Sequence, residues 1–242
     1  MDINTRPYVV INNKDSRLIP GLLISELPPI RKPSIRTKTE TIDGKDGDIV
    51  TKLGYAAYNK TINIGLTYGY NVDEIISFFS SEGTIIFSNE PEKYYLFSVY
   101  DAIDFERLIR FKTAKVVFHV QPFKYPEFEK TKTFEFTDNA PKTFMIRNIG
   151  NTNSRPTFSI YGTGEVKLKI NGVDILTIDL SSEHSIIIDS QNMNAYAPLG
   201  GRLLNRLVSG DYDKIQLMAG NNQVIFTGAV TKVNINHYSR YI

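Results

Sequence analysis

The side chains that could perform catalysis or bind a metal are few and scattered along this chain of 242 residues. It has three histidines, and none of them pairs with another at metal-ligand spacing: His119, His184 and His237. An isolated histidine lacks the partners that acid–base catalysis requires. The absence of cysteine excludes disulfides, thiolate catalysis and cysteine-based zinc or iron–sulfur sites. We therefore expect no catalytic residue and no metal site.

One group of carboxylates, Asp101, Asp104 and Glu106, invites comparison with a glycosidase. Such an enzyme needs two facing carboxylates about 5–10 Å apart, one of them with a raised pKa. The close spacing here is more typical of a charged hairpin turn. Gly162-Thr163-Gly164 links two strand-like segments and opens no helix, so it is not a dinucleotide loop. The sequence predicts a protein that is not an enzyme and binds no cofactor.

The overall composition is that of an ordinary globular protein, with 41% hydrophobic and 22% charged residues. The formal net charge is +2, and no run of lysine or arginine is longer than a pair, so we expect no sequence-specific contact with nucleic acid. The apolar runs are far shorter than the roughly 18 residues of a membrane helix. The first residues, Met1 to Pro7, lack the apolar core of a signal peptide, which predicts folding in a cytoplasm.

Alternation of apolar and polar residues dominates the chain and predicts strands. The pattern is clearest in Lys132–Phe136 and Glu165–Ile170, and Ile109–Val120 begins in the same way before it becomes an apolar run. Asn171-Gly172 predicts a two-residue hairpin with a type I′ turn. Gly220-Asn221-Asn222 predicts a second tight turn. The expected fold class is mainly β.

A single short helix interrupts this pattern. Asn71 is expected to cap it, and Glu74 follows three residues later, where it fits a capping box. The helix is predicted over Val72 to Ser81, and Gly83 fits its end.

A domain boundary is predicted near Pro126. Pro122 and Pro126 cannot donate to a strand ladder, so we expect them to close the long strand that precedes them. We divide the chain into an α+β domain, residues 1–130, and a β-sandwich, residues 131–242. Whether Asn236 to Ile242 return to the first domain stays open.

The segment Lys38–Val50 is predicted to form a hairpin arm that projects from the first domain. Its tip is too rich in glycine and aspartate to bury apolar surface: Thr41, Ile42, Asp43, Gly44, Lys45, Asp46, Gly47 and Asp48. One interpretation is a solvated turn. Another is an oligomerisation arm that pairs with a neighbouring subunit, because exposed strand edges accept another chain. Calcium binding is disfavoured, since the aspartate spacing does not fit a calcium loop.

The order of several segments resembles that of the distal tail proteins of siphophages over nearly the whole chain. In the first half the resemblance is carried by Glu40–Asp48, the predicted helix, Pro91–Tyr95 and Val116–Tyr125. In the second half it is carried by Pro156–Gly164, Ile170–Gly172, Ile187–Asp189 and Leu217–Asn222.

The resemblance implies a structural virion protein at the distal end of a long non-contractile phage tail, assembled in the host cytoplasm. Six copies would form a ring, with stacked rings as a variant, around a channel that continues the tail tube. The second domain would be a galectin-like sandwich. The implied partners are the tail tube protein, a tail-associated lysin or tail fibre protein, and receptor-binding or baseplate proteins.

Carbohydrate binding by residues 131–242 is the alternative function. Galectin-like sandwiches can bind sugars, and phage tips contact cell-wall glycans. Sugar platforms usually expose aromatic rings, often tryptophan, which this chain lacks. Tyr161, Tyr196 and Tyr212 could take that place, so the alternative stays open at this point.

Overall fold

The computed structural model of the chain describes residues 6–79, 82–99, 105–137 and 140–242. These residues form two units. The first extends to Glu127 and includes Ile242, and the second is Phe128–Tyr241. The segment Asn236–Tyr241 therefore belongs to the second unit. In the described residues strands far outnumber helices, so the predicted mainly β fold is confirmed.

The first unit is built on one antiparallel sheet of seven strands, ordered β2-β1-β7-β8-β9-β6-β3. The strands are β1 Val9–Ile11, β2 Lys14–Asp15, β3 Leu22–Glu26, β6 Tyr58–Leu66, β7 Gly83–Phe87, β8 Lys93–Ser98 and β9 Thr113–Pro126. Alternate residues of β6 and β9, such as Ile62, Ile64 and Phe118, are fully buried. The period of two thus places one face of the sheet in the core.

Helix α1, Val72–Phe79, packs on that core and confirms the predicted helix. The side-chain oxygen of Asn71 accepts hydrogen bonds from the backbone N–H of Asp73 at 3.1 Å and of Glu74 at 3.3 Å, as an N-cap does. Ile75 and both phenylalanines of the helix are buried. Residues 80 and 81, which the prediction included, lie outside the described residues.

A second helix, α2 over Phe105–Phe111, was not predicted. The sequence pattern had suggested a hairpin turn followed by a strand from Ile109. In the structure Leu108 is buried, whereas Ile109 and Phe111 are exposed, and the strand begins only at Thr113. The alternation of Ile109, Arg110 and Phe111 suggested a strand, but these residues lie in a helical turn. In that turn the packing buries Leu108 instead.

The prediction that the prolines close the long strand is right for Pro126 and wrong for Pro122. β9 continues through Pro122 and ends at Pro126. Its pairing with β6 stops at Val120, so the later residues have a ladder partner on one side only, in β8. A register shift in β8 falls opposite Pro122, between Tyr95 and Phe97. A bulge beside a free edge is where a strand tolerates proline.

The second unit contains an eight-stranded sheet that folds over a single core. Its strands are β10 Lys132–Glu135, β11 Lys142–Asn148, β12 Thr157–Ile170, β13 Val173–Asp179, β14 Ser185–Asp189, β15 Asn194–Tyr196, β16 Val208–Gly210 and β17 Gly220–Asn236. β12 pairs with β17 along most of its length, through two register shifts. The first part of β12 pairs with β14 and its later part with β13. In the same way, the first part of β17 pairs with β11 and its later part with β10.

The two turn predictions in this unit have opposite outcomes. Asn171 and Gly172 have φ values of 51° and 82° and join β12 to β13, so the type I′ hairpin is confirmed. The tight turn at Gly220-Asn221-Asn222 is wrong, because these residues open β17 and pair with β11. Asn222 is fully buried and hydrogen-bonded there, which a residue-type pattern does not reveal.

Candidate assembly interface

The predicted hairpin arm is a two-stranded antiparallel sheet of its own, made by β4, Ile35–Thr41, and β5, Asp48–Tyr55. We call residues 35–55 the arm, and its distal residues 41–48 the tip. Every residue from Ser34 to Leu53 is exposed. The eight residues predicted as the oligomerisation site all lie at the tip. Their hairpin geometry is as expected, and their role in assembly remains a prediction.

The arm is fixed at its base. The backbone N–H of Ala56 donates to the carbonyl oxygen of Ser34 at 2.8 Å. The ring of Tyr55 packs edge-on against Phe123 with 5.6 Å between centroids. The Lys52 ammonium lies 4.5 Å from the centroid of the Tyr55 ring. These contacts hold the base against β9 and leave the rest of the arm in solvent.

The tip reverses the chain through two glycines in the left-handed region. Gly44 and Gly47 have φ values of 82° and 78°, and a Cβ at either position would meet nothing within 4 Å. Conformation, not crowding, therefore requires glycine here. No group of metal-ligating side chains occurs in the described part of the chain.

The arm exposes apolar side chains that a monomer has no reason to present. Val50 and Leu53 are 61% and 55% exposed, and Ile42 is 50% exposed. The ladder places Val50 opposite Thr39, whereas Ile49 is opposite Glu40 and so lies on the other face. With apolar residues on both faces and two unpaired edges, the arm is suited to contact with another chain.

A buried charged network lies near the root of the arm. Lys124 Nζ is 2.7 Å from Glu90 Oε1, and the Tyr95 hydroxyl donates to Glu90 Oε2 at 2.6 Å. Lys60 Nζ donates to the carbonyl oxygen of Pro29 at 3.1 Å. The side chains of Lys60 and Lys124 are buried among aromatic rings and strands of the first unit.

Burial and pairing shift the pKa values of this network in a consistent way. Burial alone would raise the pKa of Glu90, but hydrogen bonds from Lys124 and Tyr95 hold it below its ordinary value. Burial and the Glu90 carboxylate raise the pKa of Tyr95, so its hydroxyl stays a donor. Burial lowers the pKa of Lys60 to about 8, against the attraction of Glu90. Burial therefore destabilises the charged form of Lys60.

A cavity of about 130 Å³ opens beside Lys60. It is formed by the segments that enter and leave the arm: Pro28, Pro29, Arg31, Tyr58, Asn59, Lys60 and Thr61. We call it the root cavity. The sequence analysis missed it, although Lys60 shares its strand face with the buried Ile62 and Ile64. Because alternate residues of a strand lie on the same face, this position in the sequence could have predicted a buried lysine.

Lys60 makes stability depend on pH in the alkaline range. Its pKa in the folded state is about 8 and its ordinary value is 10.5, so folding disfavours the proton. The resulting cost is fully present below pH 8 and fades as the pH rises toward 10.5. We expect wild type to gain about 1–2 kcal/mol in the free energy of unfolding relative to Lys60→Met between about pH 7 and about pH 9.5. Urea unfolding at the two pH values measures this difference, and an unchanged gap would contradict it.

The fold is shared with phage tail-tip proteins. No family model and no curated protein matches the chain. Among solved structures, the crystal structure of the SPP1 Dit protein (gp 19.1) aligns with 96% of this chain and 99% of its own, at 18% identity and a TM-score of 0.66. The SPP1 protein is regarded as a paradigm of the hub adsorption apparatus in phages that infect Gram-positive bacteria.

The chain has the fold of a phage distal tail protein. A chain of the phage P2 baseplate in its activated conformation with Ca also matches, covering 95% of this chain and 96% of that one at 8% identity and a TM-score of 0.50. The resemblance read from the motifs is confirmed at the level of the mainly β fold.

Among the described residues, the side chains considered for catalysis do not come together. His119 Nδ1 lies 2.9 Å from Asn59 Oδ1, and His184 is exposed. Glu106 is exposed on α2, and the two aspartates grouped with it lie outside the described residues. No helix in the described ranges has the length and apolarity of a membrane span.

His237 is a buried member of a pair that the sequence analysis missed. Its Nε2 lies 2.8 Å from Glu129 Oε1, and Glu129 Oε2 accepts the backbone N–H of Ser239 at 2.7 Å. Burial opposes the charge of Glu129, but these two partners hold its pKa below the ordinary value. The pair fixes the segment after β17 to the start of the second unit, which is a structural role.

The tyrosines considered for sugar binding are only partly exposed. Tyr161, Tyr196 and Tyr212 are each half-buried and lie on different elements, and Tyr212 packs against the core. An open cavity of about 400 Å³ in the second unit is lined by Glu165, Thr177, Asp179, Ser181, Arg206, Leu207, Val208 and Ser209, without an aromatic ring. The geometry of the described residues gives no specific support to the sugar-binding alternative.

Proposed function

We propose that the protein is a structural subunit of a phage tail tip, a hub that joins the tail tube to the adsorption apparatus. The observation that carries this proposal is the match to the SPP1 Dit protein over nearly the whole of both chains. A shared fold alone does not fix function. The second support is specific to this chain, because its arm exposes apolar residues and unpaired edges that a neighbour would cover.

In this proposal six copies close into a ring through a heterologous interface. Such an interface joins one patch to a different patch on the next copy, and the ring forms when the rotation closes. The arm supplies the first patch. A specific contact of this kind buries on the order of 1,600 Å² in total. The loss of one subunit then requires two interfaces to break, which suits a particle without disulfides.

The remaining assignments follow from the hub role. The first unit would surround the channel at the distal end of the virion tail, after assembly in the host cytoplasm. The second unit would serve as the docking platform for a lysin or fibre protein and for receptor-binding or baseplate proteins. In this proposal the role is non-enzymatic, and His119 and His237 lie in the structural pairs described above.

Shortening the arm is expected to leave a folded monomer that does not assemble. Glu40 and Ile49 face each other across the ladder, so Thr41–Asp48 can be replaced by Asn-Gly, a two-residue turn. Circular dichroism should be unchanged, because the removed residues are exposed. Light scattering should show a monomer. Negative-stain microscopy should no longer show the hollow six-fold particle that we expect of wild type.

The matched control is Leu199→Ser, which removes another exposed apolar residue, in the second unit. It is expected to assemble as wild type does. Rings of unchanged stability from the shortened variant would show that the arm is a solvated hairpin. Immuno-electron microscopy of virions tests the hub role itself, and labelling anywhere other than the tail tip would contradict it.

A further inference from the structure

The two ends of the arm carry opposite charge. At the tip, three carboxylates and one ammonium leave a net charge of −2: Asp43, Asp46, Asp48 and Lys45. At the root, two buried lysines and Arg31 outnumber the one carboxylate of the network, Glu90, and leave a net charge of +2. Arg31 and Lys60 both line the root cavity.

The root cavity has donors that can receive a carboxylate. Of the three N–H groups of the Lys60 ammonium, one donates to Pro29. The same ammonium lies 4.8 Å from the ring centroid of Tyr95 and 5.2 Å from that of Phe87, which accept no conventional hydrogen bond. Asn59 and Arg31 are exposed at the cavity and add further donors. A buried ammonium with spare donors beside an open cavity favours an anion.

One molecule cannot bring its own tip to its own root. β4 and β5 have seven and eight residues, and a strand rises about 3.3 Å per residue, so the paired strands separate the two ends by roughly 20–25 Å. The ladder between them, which has one register shift between Arg36 and Thr37, keeps the arm extended. The complementary charges can therefore meet only between two copies.

We infer that the acidic tip of one copy docks in the root cavity of the next copy. The inference rests on the proposed ring and identifies its second patch. Each copy carries one tip and one root, so every contact is head-to-tail, which is the geometry that a closed ring needs. Like charges oppose tip-to-tip and root-to-root contacts, so the charges also select the direction of assembly.

This docking explains why a lysine is buried at the root at a cost to stability. Lys60→Met keeps the length of the side chain and removes the desolvated charge. We expect the variant to unfold at higher urea concentration at neutral pH while its assembly constant falls at least tenfold. If Lys60 only supported the fold, Lys60→Met would lower both the stability and the assembly constant.

A disulfide ladder tests the contact directly, because the wild-type chain contains no cysteine. The test variant carries Asp46→Cys at the tip and Thr61→Cys in the root cavity, both at exposed positions. Mild oxidation should give covalent oligomers up to a closed hexamer on a denaturing gel. The control pairs Asp46→Cys with Tyr68→Cys, a fully exposed position outside the cavity, and should stay monomeric on the gel.

A charge exchange gives the second test. The root variant Arg31→Glu with Asn59→Asp changes the root from net +2 to net −1, and the tip variant Asp43→Lys with Asp46→Lys changes the tip from net −2 to net +2. Each variant alone should assemble at least tenfold more weakly than wild type. Mixed, they should form rings of alternating copies, because every tip then faces a root of opposite sign. Lys32→Glu, beside Arg31 but outside the cavity, should assemble normally.

The outcomes separate this inference from the hub proposal. Wild-type rings without the ladder, or a mixture that does not recover, would show that another surface receives the tip, and the hub proposal would stand. Absence of the protein from the tail tip of virions would overturn the hub proposal. A ladder from the purified test variant would still establish tip-to-root contact in that case.

Discussion

Glu90→Gln is expected to lower the free energy of unfolding by about 3 kcal/mol, since removing one partner of a buried ion pair leaves the other charge uncompensated. Glu90 accepts from Lys124 at 2.7 Å and from Tyr95 at 2.6 Å, and it attracts Lys60. Glutamine has nearly the same shape, so it creates no cavity. The loss therefore comes from two buried ammonium groups without a carboxylate.

Urea unfolding measures the loss, and hydrogen exchange with mass spectrometry locates it. Exchange should increase in the strands of the network, β6, β8 and β9, and should stay unchanged in Phe128–Tyr241. The control is Glu92→Gln, an exposed carboxylate two residues further on, for which we expect a change within about 0.5 kcal/mol. Equal losses from the two variants would mean that Glu90 is not the centre of a buried network.

The same substitution also bears on the root cavity. Without Glu90, the pKa of Lys60 should fall further, because the carboxylate is the group that raises it. Removing Glu90 also takes away the one negative charge counted at the root, so its effect on assembly is the sum of two opposing changes: a neutral lysine attracts a carboxylate less, and the remaining cations attract it more. Lys60→Met is the cleaner variant, since it removes the ammonium itself, and it is expected to weaken assembly while it stabilises the subunit.

The sequence predicts the arm because the arm is governed by local chemistry. Gly44 and Gly47 supply positive φ, and the aspartates beside them favour turns. The α1 cap at Asn71 and the Asn171-Gly172 hairpin are predictable for the same reason. In each case the residues that decide the structure are adjacent in the chain, so spacing alone carries the information.

The root cavity could not be predicted, because its parts are distant in sequence. Pro29 and Lys60 lie on either side of the arm, and Glu90 and Lys124 arrive from two other segments. Period two assigns Lys60 to the buried face, but residue type assigns a lysine to the surface. Only the tertiary structure decides between the two, by supplying Glu90 and the aromatic rings that make burial tolerable.

Asn222 is a similar case in the second unit, because its residue type leads to a wrong prediction there. Its substitution is also expected to have a large effect on stability. Its residue type predicts a turn, but its side chain is fully buried. It accepts from the backbone N–H of Met218 at 2.9 Å and donates to the carbonyl oxygens of Met218 and Gly220 at 2.7 and 3.1 Å. It also accepts from the side chain of Asn171 at 2.9 Å. The amide therefore replaces a turn's backbone hydrogen bonds and ties the β12–β13 hairpin to the start of β17.

Asn222→Ala is expected to lower the free energy of unfolding by about 3 kcal/mol, because it leaves several partly buried polar groups without their partners. Hydrogen exchange should rise in Lys142–Asn148, whose strand pairs with the start of β17, while β7 and β8 of the first unit keep their protection. Asn221→Ala is the control, since that neighbouring side chain is exposed and its backbone pairing is retained. If the two variants unfold at the same urea concentration, the buried amide does not organise this end of the second unit, and the segment is the simple turn that its composition suggests.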